Sequence, residues 1–116
     1  MTIERKHVSA RMSQIVIHGD TVYLAGQVAQ NAAGQPAGDQ MRDILETIDG
    51  LLAEAGTDKS KLLSATIWLA DIRDFDAINE VWDAWVAQGA APARACVEAK
   101  LAFTKFTVEV GVIAAR

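Results

Sequence analysis

The chain is short of most residue types that announce a dedicated chemistry. One cysteine, Cys96, among 116 residues leaves no internal disulfide framework and predicts a reducing, cytoplasmic setting. The two histidines, His7 and His18, have no Cys or Glu at ligand spacing, so no metal site is expected, and His18 reads as a turn residue. Lys and Arg number 11 against 15 Asp and Glu, a net charge of −4. With no basic cluster either, the surface is unsuited to tracking phosphates, and nucleic acid is not an expected partner. No apolar run is long enough to span a bilayer, which removes the membrane as a partner, and the polar start Met1–His7 carries no export signal. Gly26-Gln27-Val28 and Gly34-Gln35-Pro36 lack the spacing and the Lys-Ser/Thr of a phosphate loop.

What is present predicts a single globular domain over residues 1–116. Hydrophobic residues make up 51% and charged residues 22%, enough for one core in a chain too short to divide. Residues 3–8 make a weak first strand. Ser13–Ile17 and Thr21–Ala25 flank His18-Gly19-Asp20 as a hairpin. Gly26-Gln27 closes its second strand, where glycine permits close approach to a ligand. Asn31–Gly38 has loop composition. From Asp39, residues Met41, Ile44, Leu45, Ile48, Leu51, Leu52 and Ala55 recur at helical spacing, and Gly56 stands at a left-handed cap. Leu62–Ala70 reads as a strand with Leu63, Ala65, Ile67 and Leu69 on one face and Leu62, Ser64, Thr66 and Trp68 on the other. Asp74 is expected to cap a second helix that buries Phe75, Ile78, Trp82, Trp85 and Val86 and ends near Gly89.

Pro92–Ala99 and Thr107–Ala114 supply the last two strands. The order β-β-β-α-β-α-β-β predicts an α+β fold, a mixed sheet with two helices on one face. Leu62–Ala70 is apolar on both faces, so the bare side of the sheet predicts a closed homo-oligomer. Alternation puts Arg94, Cys96 and Glu98 on one face of their strand, and Glu109 opposite Val108, Val110 and Val112. An arginine and a glutamate in otherwise apolar strands need a partner, a ligand or water. They either face solvent or each other at an edge, or they line a site. Cys96 reads as a small buried thiol, since neither histidine is placed as its base.

Six stretches add a further indication. They are Val22-Tyr23-Leu24-Ala25-Gly26-Gln27, Leu45–Leu52 ahead of Ala55-Gly56, Ser64-Ala65-Thr66-Ile67-Trp68-Leu69-Ala70-Asp71, Asp74-Phe75-Asp76-Ala77-Ile78-Asn79, Pro92-Ala93-Arg94-Ala95-Cys96-Val97 and Val108-Glu109-Val110. In this order and at these separations the chain resembles the RidA/YjgF (L-PSP, reactive intermediate deaminase) family from about residue 12 to the end.

The resemblance implies a chorismate-mutase-like subunit in a homotrimer with three clefts between neighbours. The implied activity is hydrolysis of 2-imino acids and their enamines, such as 2-iminopropanoate and 2-iminobutanoate, to 2-keto acids and ammonia, without a cofactor. Arg94 would hold the substrate carboxylate with its planar fork. Glu109, expected on an adjacent strand, would place a water at the imine carbon and carry protons to the departing ammonia. Backbone groups at Gly26 and Cys96 would hold the imine nitrogen or that water, and Asn79 would contact substrate or tie helix to loop. The chain departs from the family pattern at Met12, where a tyrosine is usual, at Ala25 in place of serine, at Ala91, which an aromatic residue often replaces, and at Leu101-Ala102 in place of Leu-Pro. The expected site is roomier and less polar. A non-catalytic small-carboxylate binding or sensing module, and an endoribonuclease, are the competing readings.

Overall fold

Two residue periods partition the chain: every-second-residue runs become strands, and three-and-four runs become helices. The computed structural model describes residues 1–116. It contains β1 (Ile3–Val8), β2 (Ser13–His18), β3 (Thr21–Leu24), β4 (Gln27–Val28), α1 (Ala37–Glu54), β5 (Leu62–Leu69), α2 (Phe75–Trp85), β6 (Ala93–Glu98) and β7 (Val108–Ala115). The strands form one sheet in the order β1-β2-β3-β7-β5-β6, with β4 also paired to β7. Only β5 and β6 run parallel, because α2 carries the chain back between them. The result is the expected α+β arrangement, a mixed sheet with both helices on one face, plus one short strand, β4, beyond Gly26.

The core lies between helices and sheet. Along β7, Val108, Val110, Val112 and Ala114 are all buried, as are Ile15, Ile17, Val22, Ile67 and Leu69 from neighbouring strands. Met41, Ile44, Leu45, Ile48 and Leu52 press onto them from α1. That helix stops where the sequence predicts. Gly56, at φ 81°, lets the Thr57 N–H reach the Leu52 carbonyl at 3.0 Å and its own N–H reach that of Ala53 at 3.1 Å, which satisfies carbonyls the helix leaves open. β1 is held despite its weak pattern. His7 adopts φ 54°, and both it and its neighbour Lys6 reach Glu54 at the end of α1. His7 Nε2 lies 2.6 Å from the Glu54 carboxylate, and Lys6 Nζ donates to the Glu54 carbonyl at 3.2 Å.

Several boundaries differ from expectation for local reasons. α1 begins at Ala37, two residues ahead of Asp39, since Pro36 takes the N-cap position without offering a side-chain bond and proline's fixed φ suits a helix entry. Asp74 holds the N-cap position of α2 as expected, but its side chain makes no capping hydrogen bond. Asp71 instead accepts from the Arg73 N–H at 2.9 Å and opens a short 3-10 turn at Ile72–Asp74, and the Arg73 side chain holds its carboxyl below the usual range. α2 ends at Trp85, not near Gly89, because Val86 is already extended. A bulge between Leu62 and Ser64 reverses the faces of two leucines, so Leu62 is buried and Leu63 is 51% exposed. The helix-free face then presents Leu63, Tyr23 and Val97 to solvent.

One buried polar side chain ties three segments together. Gln40 is fully buried within the apolar face of α1. Its Nε2 donates to the Gln35 carbonyl at 2.9 Å and the Lys105 carbonyl at 3.0 Å, while its Oε1 accepts from the Thr107 N–H at 2.9 Å. Gln40→Leu would strand the Thr107 N–H and the Gln35 carbonyl, each costing roughly 1–3 kcal/mol. Urea unfolding of that variant is expected to give a stability loss of about 2–4 kcal/mol; a loss of a few tenths would show that the three segments do not depend on this side chain.

Candidate functional site

Arg94 leaves the edge strand β6 on the helix side of the sheet, in register with the small, buried Ala65. Phe75, Asn79 and Trp82 stand on one stripe of α2 at three-and-four spacing, and all three meet the guanidinium. Asn79 Oδ1 accepts from Nη1 at 2.8 Å. The ring centroids of Trp82 and Phe75 lie 5.3 and 5.9 Å from the guanidinium carbon, within cation–π range. Trp82 is buried as expected, but Phe75 is 38% exposed, so this aromatic pair faces the arginine as well as the core. Asn79 therefore ties helix to strand, not helix to loop. None of the chain's three ion pairs includes Arg94. Its partners orient the charge without neutralising it, which leaves a fork able to take a carboxylate.

Cys96 follows on the same face, half-buried. Burial pushes its thiol above the ordinary value, and the Arg94 charge opposes that only in part. The third residue of the row, Glu98, accepts from the Ile72 N–H at 3.0 Å and so pins the end of the strand.

Glu109 projects from the opposite, helix-free face of β7. It lines a cleft of about 340 Å³ with Met12, Gln14, Gly26, Gln27 and Phe103 among others. No hydrogen bond or ion pair in the chain engages its carboxylate. Gly26 leaves room for the Glu109 carboxylate where it now stands: a β-carbon there would meet it and make it swing aside. Gln27, nearly buried, donates to Gln14 Oε1 at 2.7 Å and to the Ala25 carbonyl at 2.9 Å. Ala25 is itself held by its N–H on the Gln14 carbonyl at 2.9 Å. Met12, half exposed at 50%, ends a turn in which its carbonyl accepts from the Ser9 hydroxyl at 3.1 Å.

Two groups of expected residues thus assemble, but apart. Arg94, Cys96 and Asn79 share one side of the sheet; Met12, Ala25, Gly26 and Glu109 gather beside the other. The expectation that Glu109 stands on the strand next to Arg94 is corrected, because β5 lies between β6 and β7. Register explains the opposition: Arg94 aligns with Ala65 on the covered face, whereas Glu109 aligns with Trp68 on the bare one. Phe103 and Gln14 escaped the sequence reading. Phe103 belongs to no periodic run, and its only signal is an aromatic side chain in the short segment between Lys100 and Lys105.

Comparison with known proteins places these features in context. A family model described as endoribonuclease L-PSP matches residues 2–116. The chain is 46% identical to a RutC family protein of Haemophilus influenzae, covering 98% of each. It is 37% identical to a 2-iminobutanoate/2-iminopropanoate deaminase of Capra hircus, over 74% of this chain and 66% of that protein. Among solved structures, a YjgF-family protein from Neisseria meningitidis superposes with a TM-score of 0.96 at 43% identity, covering all of this chain and 96% of the other.

Two measurements check the local geometry. The atom in the way of a Gly26 β-carbon is the far end of a flexible side chain, so Gly26→Ala is expected to fold with a loss under about 1 kcal/mol while its crystal structure shows the Glu109 carboxylate swung aside. An unmoved carboxylate would contradict the clash. Iodoacetamide should modify Cys96 slowly at neutral pH and accelerate only above the range of a free thiol, since the thiolate is the reactive form; fast labelling at neutral pH would show the thiol is not held protonated.

Proposed function

The chain belongs to the endoribonuclease L-PSP (RidA/YjgF) family, and from that premise we propose that it hydrolyses reactive 2-imino acids and their enamines to 2-keto acids and ammonia. The observation that carries the proposal is the unneutralised Arg94 guanidinium, held by Asn79, Phe75 and Trp82. Glu109, likewise in no ion pair, supports the second role. Arg94 binds the substrate carboxylate by two parallel hydrogen bonds. Glu109 accepts a proton as the water oxygen bonds to the iminium carbon and the C=N electron pair moves to nitrogen, gives that proton to the amine, and takes the remaining hydroxyl proton as the C=O bond forms, the C–N bond breaks and ammonia leaves. The iminium carbon is already electrophilic, so orientation and one placed water supply most of what the reaction needs. Backbone groups at Gly26 and Cys96 hold the nitrogen or the water, and the protonated Cys96 thiol is not the nucleophile.

One chain cannot bring Arg94 and Glu109 to the same substrate, because they lie on opposite faces of its sheet. The proposed assembly is a homotrimer closed through the helix-free faces, in which Tyr23, Leu63 and Val97 are covered and each cleft takes Arg94 from one copy and Glu109 from the next. No helix is long and apolar enough to cross a membrane, and a free Cys96 fits the cytoplasm, where the proposed reaction belongs. Ribonuclease activity is disfavoured: α1 carries five acidic side chains and α2 three, against Arg42 alone, a layer that repels phosphates.

The test is keto-acid release from 2-iminopropanoate generated in situ by an amino-acid oxidase. Arg94→Ala should lower kcat/KM at least about 100-fold, the order expected when a carboxylate anchor is lost; wild-type rates in that variant would end the proposal. Co-refolding Arg94→Ala with Glu109→Gln should restore roughly a quarter of the activity, the share of clefts in a randomly mixed ring that join an intact Arg94 to an intact Glu109. No recovery would argue against a shared site. Stabilisation by short keto acids that requires Arg94 but comes without turnover would identify a binding module instead.

A further inference from the structure

Beside Glu109 the cleft changes character within one side chain. Its carboxylate is the only charge among the lining residues, and Met12, Val28, Ala102, Phe103 and Phe106 form the wall. Two of these are left bare in the isolated chain, Met12 at 50% and Phe103 at 62% exposure. The amide groups nearby are partly spent on each other, since Gln27 donates to Gln14 and to the Ala25 carbonyl. The Lys105 amine does not line the cleft and lies 5.6 and 5.3 Å from the Phe103 and Phe106 ring centroids. Phe103 in turn meets Phe106 edge-on at 6.2 Å, so the aromatic wall is braced from behind.

We infer that this wall is the side-chain subsite, and that the preferred substrates are 2-imino acids with unbranched or bulky apolar side chains of three or more carbons, in preference to the short or acidic ones. The inference rests on the deaminase reading. With the carboxylate on Arg94 of a neighbouring copy and the reacting carbon at Glu109, the remaining substituent meets the wall of Met12, Val28, Ala102, Phe103 and Phe106, the neutral amides of Gln14, Gln27 and Gln30, and no second charge. An acidic side chain finds Glu109 and no cation, so it is repelled and stays desolvated without a partner. An alkyl chain removes Met12 and Phe103 from water, and each buried methylene multiplies affinity by about fourfold. The same cleft holds a bare carboxylate and a glycine that leaves it room, a polar head with an apolar wall that suits a small amphipathic molecule better than a neighbour's packing side chain.

The experiment compares kcat/KM for 2-imino acids made in situ by an amino-acid oxidase from 2-aminobutyrate, norvaline, norleucine and glutamate. The expected result is a rise of about fourfold per methylene from the four-carbon to the six-carbon compound, with the glutamate-derived imine at least tenfold below norvaline's. Phe103→Ala and Met12→Ala should each flatten the slope, and Phe103→Leu should keep most of it. A flat or falling series in the wild-type protein, or a slope unmoved by both alanine variants, overturns the inference while leaving the deaminase reading intact. If the alanine variants instead change the sedimentation of the assembly but not the substrate ratios, the wall is a packing surface and the inference falls. Absence of turnover with every imine removes the deaminase reading and this inference together.

Discussion

Two helices can cover one side of a sheet and no more, and most of this structure follows from that restriction. β5 stands between β6 and β7, so the alternation of side chains along each strand decides which residues share a compartment. Ala65 and Arg94 go under the helices; Trp68 and Glu109 go to the side that has no cover. A shift of one residue in either pairing would exchange those compartments and place a valine where the carboxylate now stands. The bulge at Leu62–Ser64 makes such an exchange locally, and since both residues it moves are leucines the core still receives one.

The two charges are handled by different means. Arg94 is partly desolvated, a condition tolerable because Asn79 takes one donor and two rings offer their electron-rich faces. An acidic residue at position 79 would hold the guanidinium more strongly and also consume it. Glu109 is handled by space: Gly26 gives it room, and Gln27 is kept occupied by Gln14 and Ala25. Charges kept available in this way are unusual in a chain of this size, where burial ordinarily demands pairing.

Much of the architecture was legible in the residue pattern, and the failures have identifiable causes. Helix α1 and its Gly56 terminus, the hairpin at Gly19 and the alternation of β7 all follow from local rules that tertiary contacts do not override. The faces of Leu62 and Leu63 could not be read, because a bulge leaves no mark in a run of apolar residues. Asp74 stands at the N-cap of α2 but its side chain makes no capping bond, while that of Asp71 closes the 3-10 turn three residues earlier. For the candidate site, Arg94 and Glu109 were visible as charges in apolar strands, and the family resemblance supplied Gly26, Met12, Ala25, Cys96 and Asn79. Their division between two faces was not visible, since strand order is a long-range property. Phe103 was missed because loop aromatics carry no period.

Gln40 has a wider consequence. Its amide serves three backbone groups from two pieces of chain, and the piece that supplies Lys105 and Thr107 is the segment that carries Phe103 and Phe106. The rigidity of that aromatic wall is therefore borrowed from the first turn of α1 on the far side of the sheet. Loosening the helix entry would blur the cleft without touching any atom inside it.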